Sequence, residues 1–174
     1  MNEDNMTATD YKEKDFLKLV EKLRGEAGAD LSTAEDLSLA VMNLISLEEH
    51  FFFTAEKTGD ASYHDLSKTV RELRKEAMKS LVPEHEGETW CATKHLLSAA
   101  MRLLEVGNKL QSEGKKPEAK NMFDSAYRMY SIFWALRLKL VTVKDVAKEK
   151  ADKGAAKPWS VEDLVSKLAD CCKE

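Results

Sequence analysis

Two short clusters carry the residues best able to do chemistry. Cys91 and His95 stand four apart, so on a helix they share one face, a spacing suited to two ligands of one metal ion. Glu105 follows further along, and Arg102 falls on the face of His95 and Ser98. The second cluster is the tripeptide Glu48-Glu49-His50. Together they supply enough nitrogen, sulfur and oxygen donors for a three-ligand zinc site with one position open to water. Axial position weighs against that site. His50 lies far into its helix and His95 early in another, which in parallel helices separates them by roughly 15 Å along the axis. The expectation is no cofactor, with zinc the lesser alternative.

Other catalytic patterns are absent. There is no glycine-rich phosphate loop, nucleophile elbow or H-E-x-x-H. No Glu precedes a His by three residues inside a long helical stretch, as a ferritin-like di-iron site requires. Nothing pairs a nucleophile with a base, so the chain reads as a non-enzyme. The plainer reading of the clusters is structural. Glu48 belongs to the stripe Leu37, Val41, Leu44, Glu48, Phe51, Ala55, and a partly buried carboxylate there needs a cationic partner, with Arg102 or Lys94 as the expected donors.

The segment that holds Glu48 is also the most apolar in the chain. Residues 37–53 run through seven large aliphatic or Met side chains and end in Phe51, Phe52 and Phe53. At about 100° per residue the three phenylalanines sweep roughly 200° of helix surface, more than one core-facing stripe. At least one must therefore meet another helix, another segment or another subunit.

Composition fixes the class around this hub. The 174 residues are 43% hydrophobic and 33% charged, with seven glycines and three prolines, which suits one all-α domain better than a β-rich one. A net charge of −4 argues against general nucleic-acid binding. The uncharged stretch Leu37–Leu47 is too short to span a bilayer. The leading MNEDNMTATDYKEKD lacks the basic and apolar parts of a signal peptide, and the three cysteines make no disulfide framework, so the expected setting is cytoplasmic.

Periodicity and breaks divide the chain into helices. A first helix runs from near Asp10 through Phe16, Leu17, Val20 and Leu23. A second opens at Ser32 with Glu35 in a capping box and persists to about Lys57, before Thr58-Gly59-Asp60. Asp60 or Ser62 caps a third, whose stripe is Leu66, Val70, Leu73, Ala77 and Leu81 and whose solvated face includes Arg71, Arg74 and Lys75; Pro83 closes it. A fourth runs from near Glu88 to about Ser112, stopped by Gly114, and Pro117 starts an aromatic-rich fifth reaching Leu138. The expected architecture is an up-down four-helix bundle (the second to fifth helices) with an extra N-terminal helix and a short C-terminal helix. Its bounds are residues 1–142 for the bundle and 143–174 for a charged linker and the amphipathic segment that begins at Pro158 and Trp159.

From Leu103 to Ala126 the chain resembles one tetratricopeptide-type helical hairpin. Gly107, Leu110, Ala119, Phe123 and Ala126 fall at that repeat's spacing, while Leu103 replaces its early aromatic and Ser131 its closing proline. The resemblance implies a close-packed helix pair, eased by Gly107 and Ala119, and a protein-binding role. Tyr63-His64-Asp65-Leu66 is similar to a stretch of helical HEPN-type nucleases, yet no arginine has a histidine four to six residues downstream, so that activity has no residues to rest on.

Two expectations of function follow. The first is a non-enzymatic protein-interaction module, binding a protein partner or itself through Phe51, Phe52, Phe53 and Trp159. The second is a metal- or small-ligand-binding bundle with a polar site between the second and fourth helices, drawn from Glu48, Glu49, His50, Cys91, His95, Arg102 and Glu105.

Overall fold

A computed structural model describes residues 30–82 and 88–140, together with helical positions 18, 21, 22 and 25. The fold is all-α, and among the described residues there is no strand. Helix α1 spans Asp30–Thr58, α2 Ser62–Leu81, α3 Thr89–Ser112 and α4 Lys116–Arg137. Of the expected N-terminal helix near residues 10–23, Lys18, Glu21 and Lys22 are helical and its other positions lie outside the described residues, as do the linker and amphipathic segment of 143–174, Trp159, and the vicinal Cys171 and Cys172.

Each break follows from local chemistry. Gly59 and Gly114 take φ of 71° and 76°, left-handed values that cost glycine little, and each ends the helix before it. Neither Asp60 nor Ser62 caps α2 as expected: the N-cap position falls on Ala61, which makes no side-chain cap bond, while Asp60 just before it accepts the backbone N–H of Ser62 at 2.9 Å. Pro117 sits in the first turn of α4, where its missing N–H costs nothing. At the start of α1 the structure departs from expectation. Helical geometry begins at Asp30, so Ser32 stands inside the first turn and is not the N-cap.

The helices pair as two hairpins. α1 packs chiefly on α2 and α3 chiefly on α4, and contact between the hairpins runs mainly from α1 to α3. In the second hairpin Gly107 and Ala119 are buried, and a Cβ on Gly107 would lie 2.6 Å from Phe123 Cδ1, so the ring occupies the space that any larger residue needs. The one core cluster that draws on all four helices uses only part of each. It takes Ala34, Val41 and Met42 from α1, Met78, Leu81 and Val82 from the close of α2, Leu97 and Ala100 from the first half of α3, and Phe133 and Trp134 from the end of α4.

Polar contacts join helices at the same level. The hydroxyls of Ser38 and Tyr130 lie 2.8 Å apart, linking α1 to α4. Arg137 Nε donates to the carbonyl of Leu81 at 3.2 Å, satisfying an acceptor at the close of α2, while its guanidinium lies 5.4 Å from the Trp134 ring centre.

α2 turns a different face inward from the one its leucines suggest. Val70, Arg74, Met78 and Leu81 are buried, whereas Leu66 and Leu73 are exposed. Arg74 was expected on the solvated face and is instead only 7% exposed. The cause is Glu48. Its half-buried carboxylate draws Arg74 inward, Nε to Oε1 at 2.9 Å and Nη2 to Oε2 at 3.4 Å, and the two-pronged geometry is one that Arg meets and Lys does not.

Candidate functional site

The second half of α1 gathers most of the residues singled out by type. Phe52 follows Val41 by eleven residues, close to three full turns, so both point the same way from the helix axis. Val41 is fully buried and Phe52 is 49% exposed. α3 repeats the pattern, since Leu97 is fully buried and Leu104, two turns on, is 46% exposed. Core-facing apolar positions thus run on past the place where the four helices meet.

The three phenylalanines divide as their sweep requires. Phe51 is half-buried and turns toward α2, its ring 6.2 Å from that of Tyr63. Phe52 and Phe53 are exposed and meet edge to face at 5.2 Å. Such a pair gains from its own contact and still leaves both rings facing outward.

Beside Phe53 a cavity of about 610 Å³ opens between α1 and α3, lined by Ser46, Glu49, His50, Phe53, Thr54, Lys57 and Arg102. Helical spacing explains the lining from α1, because residues 46, 49, 50, 53, 54 and 57 recur at three or four and form one flank. Arg102 comes across from α3, paired with the Glu49 carboxylate and donating to Ser46 Oγ at 3.2 Å. Ser46 donates in turn to Met101 Sδ at 3.7 Å, and Thr54 to the carbonyl of His50 at 2.8 Å. Two permanent cations, Lys57 and Arg102, therefore face one carboxylate, Glu49, with the His50 imidazole beside them.

The structure sorts the seven polar residues singled out by type. Glu49, His50 and Arg102 share this cavity. Glu48 turns away into the α1–α2 interface, where Arg74 and, at 3.8 Å, Arg71 neutralise it; neither Arg102 nor Lys94 is its partner. Cys91, His95 and Glu105 are exposed on α3 and are not among the lining residues. Among the described residues, no three or more His, Cys, Asp or Glu side chains gather as a metal ion requires. Lys57 was not singled out from the sequence. Its signal was its place on the flank defined by Ser46, His50 and Phe53, which reads as solvent-facing until α3 is set beside it.

No helix among the described residues is long and apolar enough to cross a membrane. The architecture so defined is an all-α pair of helical hairpins with an exposed aromatic pair and a polar cavity between α1 and α3. Comparison of the chain with protein-family models, with curated proteins and with solved structures finds no match.

Proposed function

We propose that this protein is a non-enzymatic helical interaction module. In this reading the four helices form an up-down bundle, with the N-terminal and C-terminal amphipathic segments as additional helices. Its working surface is the second half of α1 and α3. The observation that carries the reading is the exposure of Phe52 and Leu104 on faces whose earlier turns are core. Large apolar side chains in line with a core stripe gain free energy when a partner covers them, and contiguous patches of this kind mark interaction surfaces. The partner assigned is a second copy of the chain. A shared axis would bring Phe52 of two copies together, the self-complementary contact of a two-fold dimer.

Native mass spectrometry of the untagged protein, with and without a chelator, tests this. A metal-free dimer is expected, and Phe52→Ser should return it to monomer without loss of helix content. A monomer at tens of micromolar would remove self-association from the proposal. A second reading, a small-ligand or zinc site, has in its favour that Glu49, His50 and Arg102 line one cavity between α1 and α3. A stoichiometric mass lost on chelation would put it first, with His50→Ala as the next variant.

A further inference from the structure

The groups that line the α1–α3 cavity and still lack a partner are chiefly donors. Ser46 accepts from Arg102 and gives its own proton to Met101 Sδ, and Thr54 gives its proton to the carbonyl of His50. The Glu49 carboxylate is taken by Arg102. That side chain makes both contacts, to Ser46 and to Glu49, through Nη2 and keeps the N–H groups of Nε and Nη1 unspent. Among the described residues nothing pairs with the Lys57 ammonium or with the ring N–H of His50. With Glu49 set against Arg102, the surplus charge of the lining is the single positive one of Lys57.

Helical spacing sets these groups around one wall. His50, Phe53 and Lys57 follow one another at three and four, so they share a flank of α1 with the aromatic ring in the middle. Helical side chains lean toward the N-terminus of their helix, which puts Phe53 and His50 on the side toward which Lys57 leans. Arg102 arrives from α3 at the level of Ser46 and Glu49, beside His50. The cavity's volume of about 610 Å³ falls within the roughly 300–1,000 Å³ of small-molecule sites. One aromatic wall is too little to seat a protein helix and enough for a single ring or a short apolar body. A neutral ligand would leave Lys57 unmatched and a cation would be repelled, whereas an acidic group meets donors and charge together.

We infer that this cavity binds a small organic anion, its acidic group held by Lys57 and His50 and its apolar body laid against Phe53. The inference deepens the small-ligand reading above, on which it rests, and it needs no metal. It is separate from self-association, because Phe52 and Leu104 are not among the lining residues.

NMR titration of the full chain at fixed ionic strength tests it, following the amides of residues 46–57 and the His50 ring. The probes are phenyl phosphate and benzoate as organic anions, inorganic phosphate as an anion without a ring, and benzyl alcohol as a ring without charge. The organic anions are expected to shift the His50 ring with a Kd at or below about 1 mM. Lys57→Ala should weaken them at least five-fold, while Lys79→Ala, which removes an exposed lysine of α2, should change nothing. Glu49→Gln should strengthen them, since Arg102 then has its charge free for the ligand. Phe53→Ala should weaken phenyl phosphate and leave inorganic phosphate as it was. Lys57 and Phe53 are exposed, so both variants should keep the helix content of the parent chain. No shift with either organic anion at several millimolar would remove the small-ligand reading together with the inference. Benzyl alcohol bound as tightly as phenyl phosphate would keep a ligand cavity and overturn its preference for anions. Inorganic phosphate bound equally well would overturn the part given to Phe53, and binding that Lys57→Ala leaves unchanged would overturn the site. Repeating the titration in Phe52→Ser keeps every one of these outcomes independent of the number of subunits.

Discussion

The two halves of α1 carry similar apolar residues and meet opposite surroundings. Its first half gives Ala34, Val41 and Met42 to a core that all four helices share. Its second half turns Phe52 in the same direction and leaves it half exposed, while Phe53 lines an open cavity. Burial is thus decided by which helices arrive at a given level. The hydrophobic pattern sets the direction of a side chain, and tertiary contact sets whether anything meets it. Where all four helices converge the apolar face stabilises the fold, and where only a pair covers it the same face stays exposed.

Single substitutions should separate the halves by their cost. Phe133 is fully buried among Tyr130, Trp134 and the shared core. Phe133→Ala should lower unfolding free energy by about 3–5 kcal/mol, read by urea denaturation monitored at the helical signal. Phe52→Ala, measured in dilute monomer, should change it by no more than about 0.5 kcal/mol. If Phe52→Ala proved as costly as Phe133→Ala, the second half of α1 would be covered within the monomer and the contrast would collapse.

The ion pairs offer a sharper form of the same comparison. Glu48 and Arg74 are enclosed between α1 and α2, and Glu49 and Arg102 join α1 to α3 with both side chains about half exposed. Glu48→Ala strands a buried guanidinium, so a loss of about 3 kcal/mol is expected. Replacing both partners, Glu48→Leu with Arg74→Met, should recover most of that loss, since apolar residues of similar volume need no counter-charge. Glu49→Ala should cost between about 0.2 and 1 kcal/mol, shrinking further in high salt. A Glu49 effect equal to that of Glu48 would mean that the α1–α3 flank is as dry as the α1–α2 interface.

How far these features can be read in the sequence follows from the range of the interactions behind them. The close of α1, the close of α3 and the opening of α4 rest on Gly59, Gly114 and Pro117, whose effects are local to the backbone, and each lies where its chemistry puts it. The pairing of α3 with α4 around Gly107 was legible through the resemblance to a tetratricopeptide-type hairpin, whose spacing of Gly107, Ala119 and Phe123 implies a close-packed pair. The inward face of α2 was not. Leu66, Leu73 and Arg74 each fit a solvated or a buried position by type alone, and the choice was made by Glu48, which stands 26 residues away from Arg74 in the chain. The cavity was half legible. Glu49, His50 and Arg102 were singled out by chemical type, while the flank that carries Lys57 reads as solvent-facing until α3 stands beside α1. Cys91 and His95 do share a helix, as their spacing required, but it is a face that no third ligand reaches among the described residues.

The smallest expected effect lies at the turn between α1 and α2, beyond the reach of the shared core. Asp60 accepts hydrogen bonds from the Ser62 side chain and backbone N–H, and these hold its carboxyl below the usual carboxylate range. A carboxyl whose pKa is lower in the folded chain binds protons more readily when unfolded. Its stabilising contribution is therefore complete above the ordinary aspartate value and is lost as pH falls through the lowered one. Acidification over that window should lower the protection of the amides at residues 62–64, the first turn of α2, relative to their intrinsic exchange rates, before it lowers that of Leu81 or Phe133 in the shared core. Asp60→Asn keeps an acceptor for the Ser62 N–H and removes the titration, so the pH dependence at 62–64 should vanish while the turn persists. Were the core amides to respond first, the response would not originate at Asp60, and the weaker half of the molecule would be the buried one.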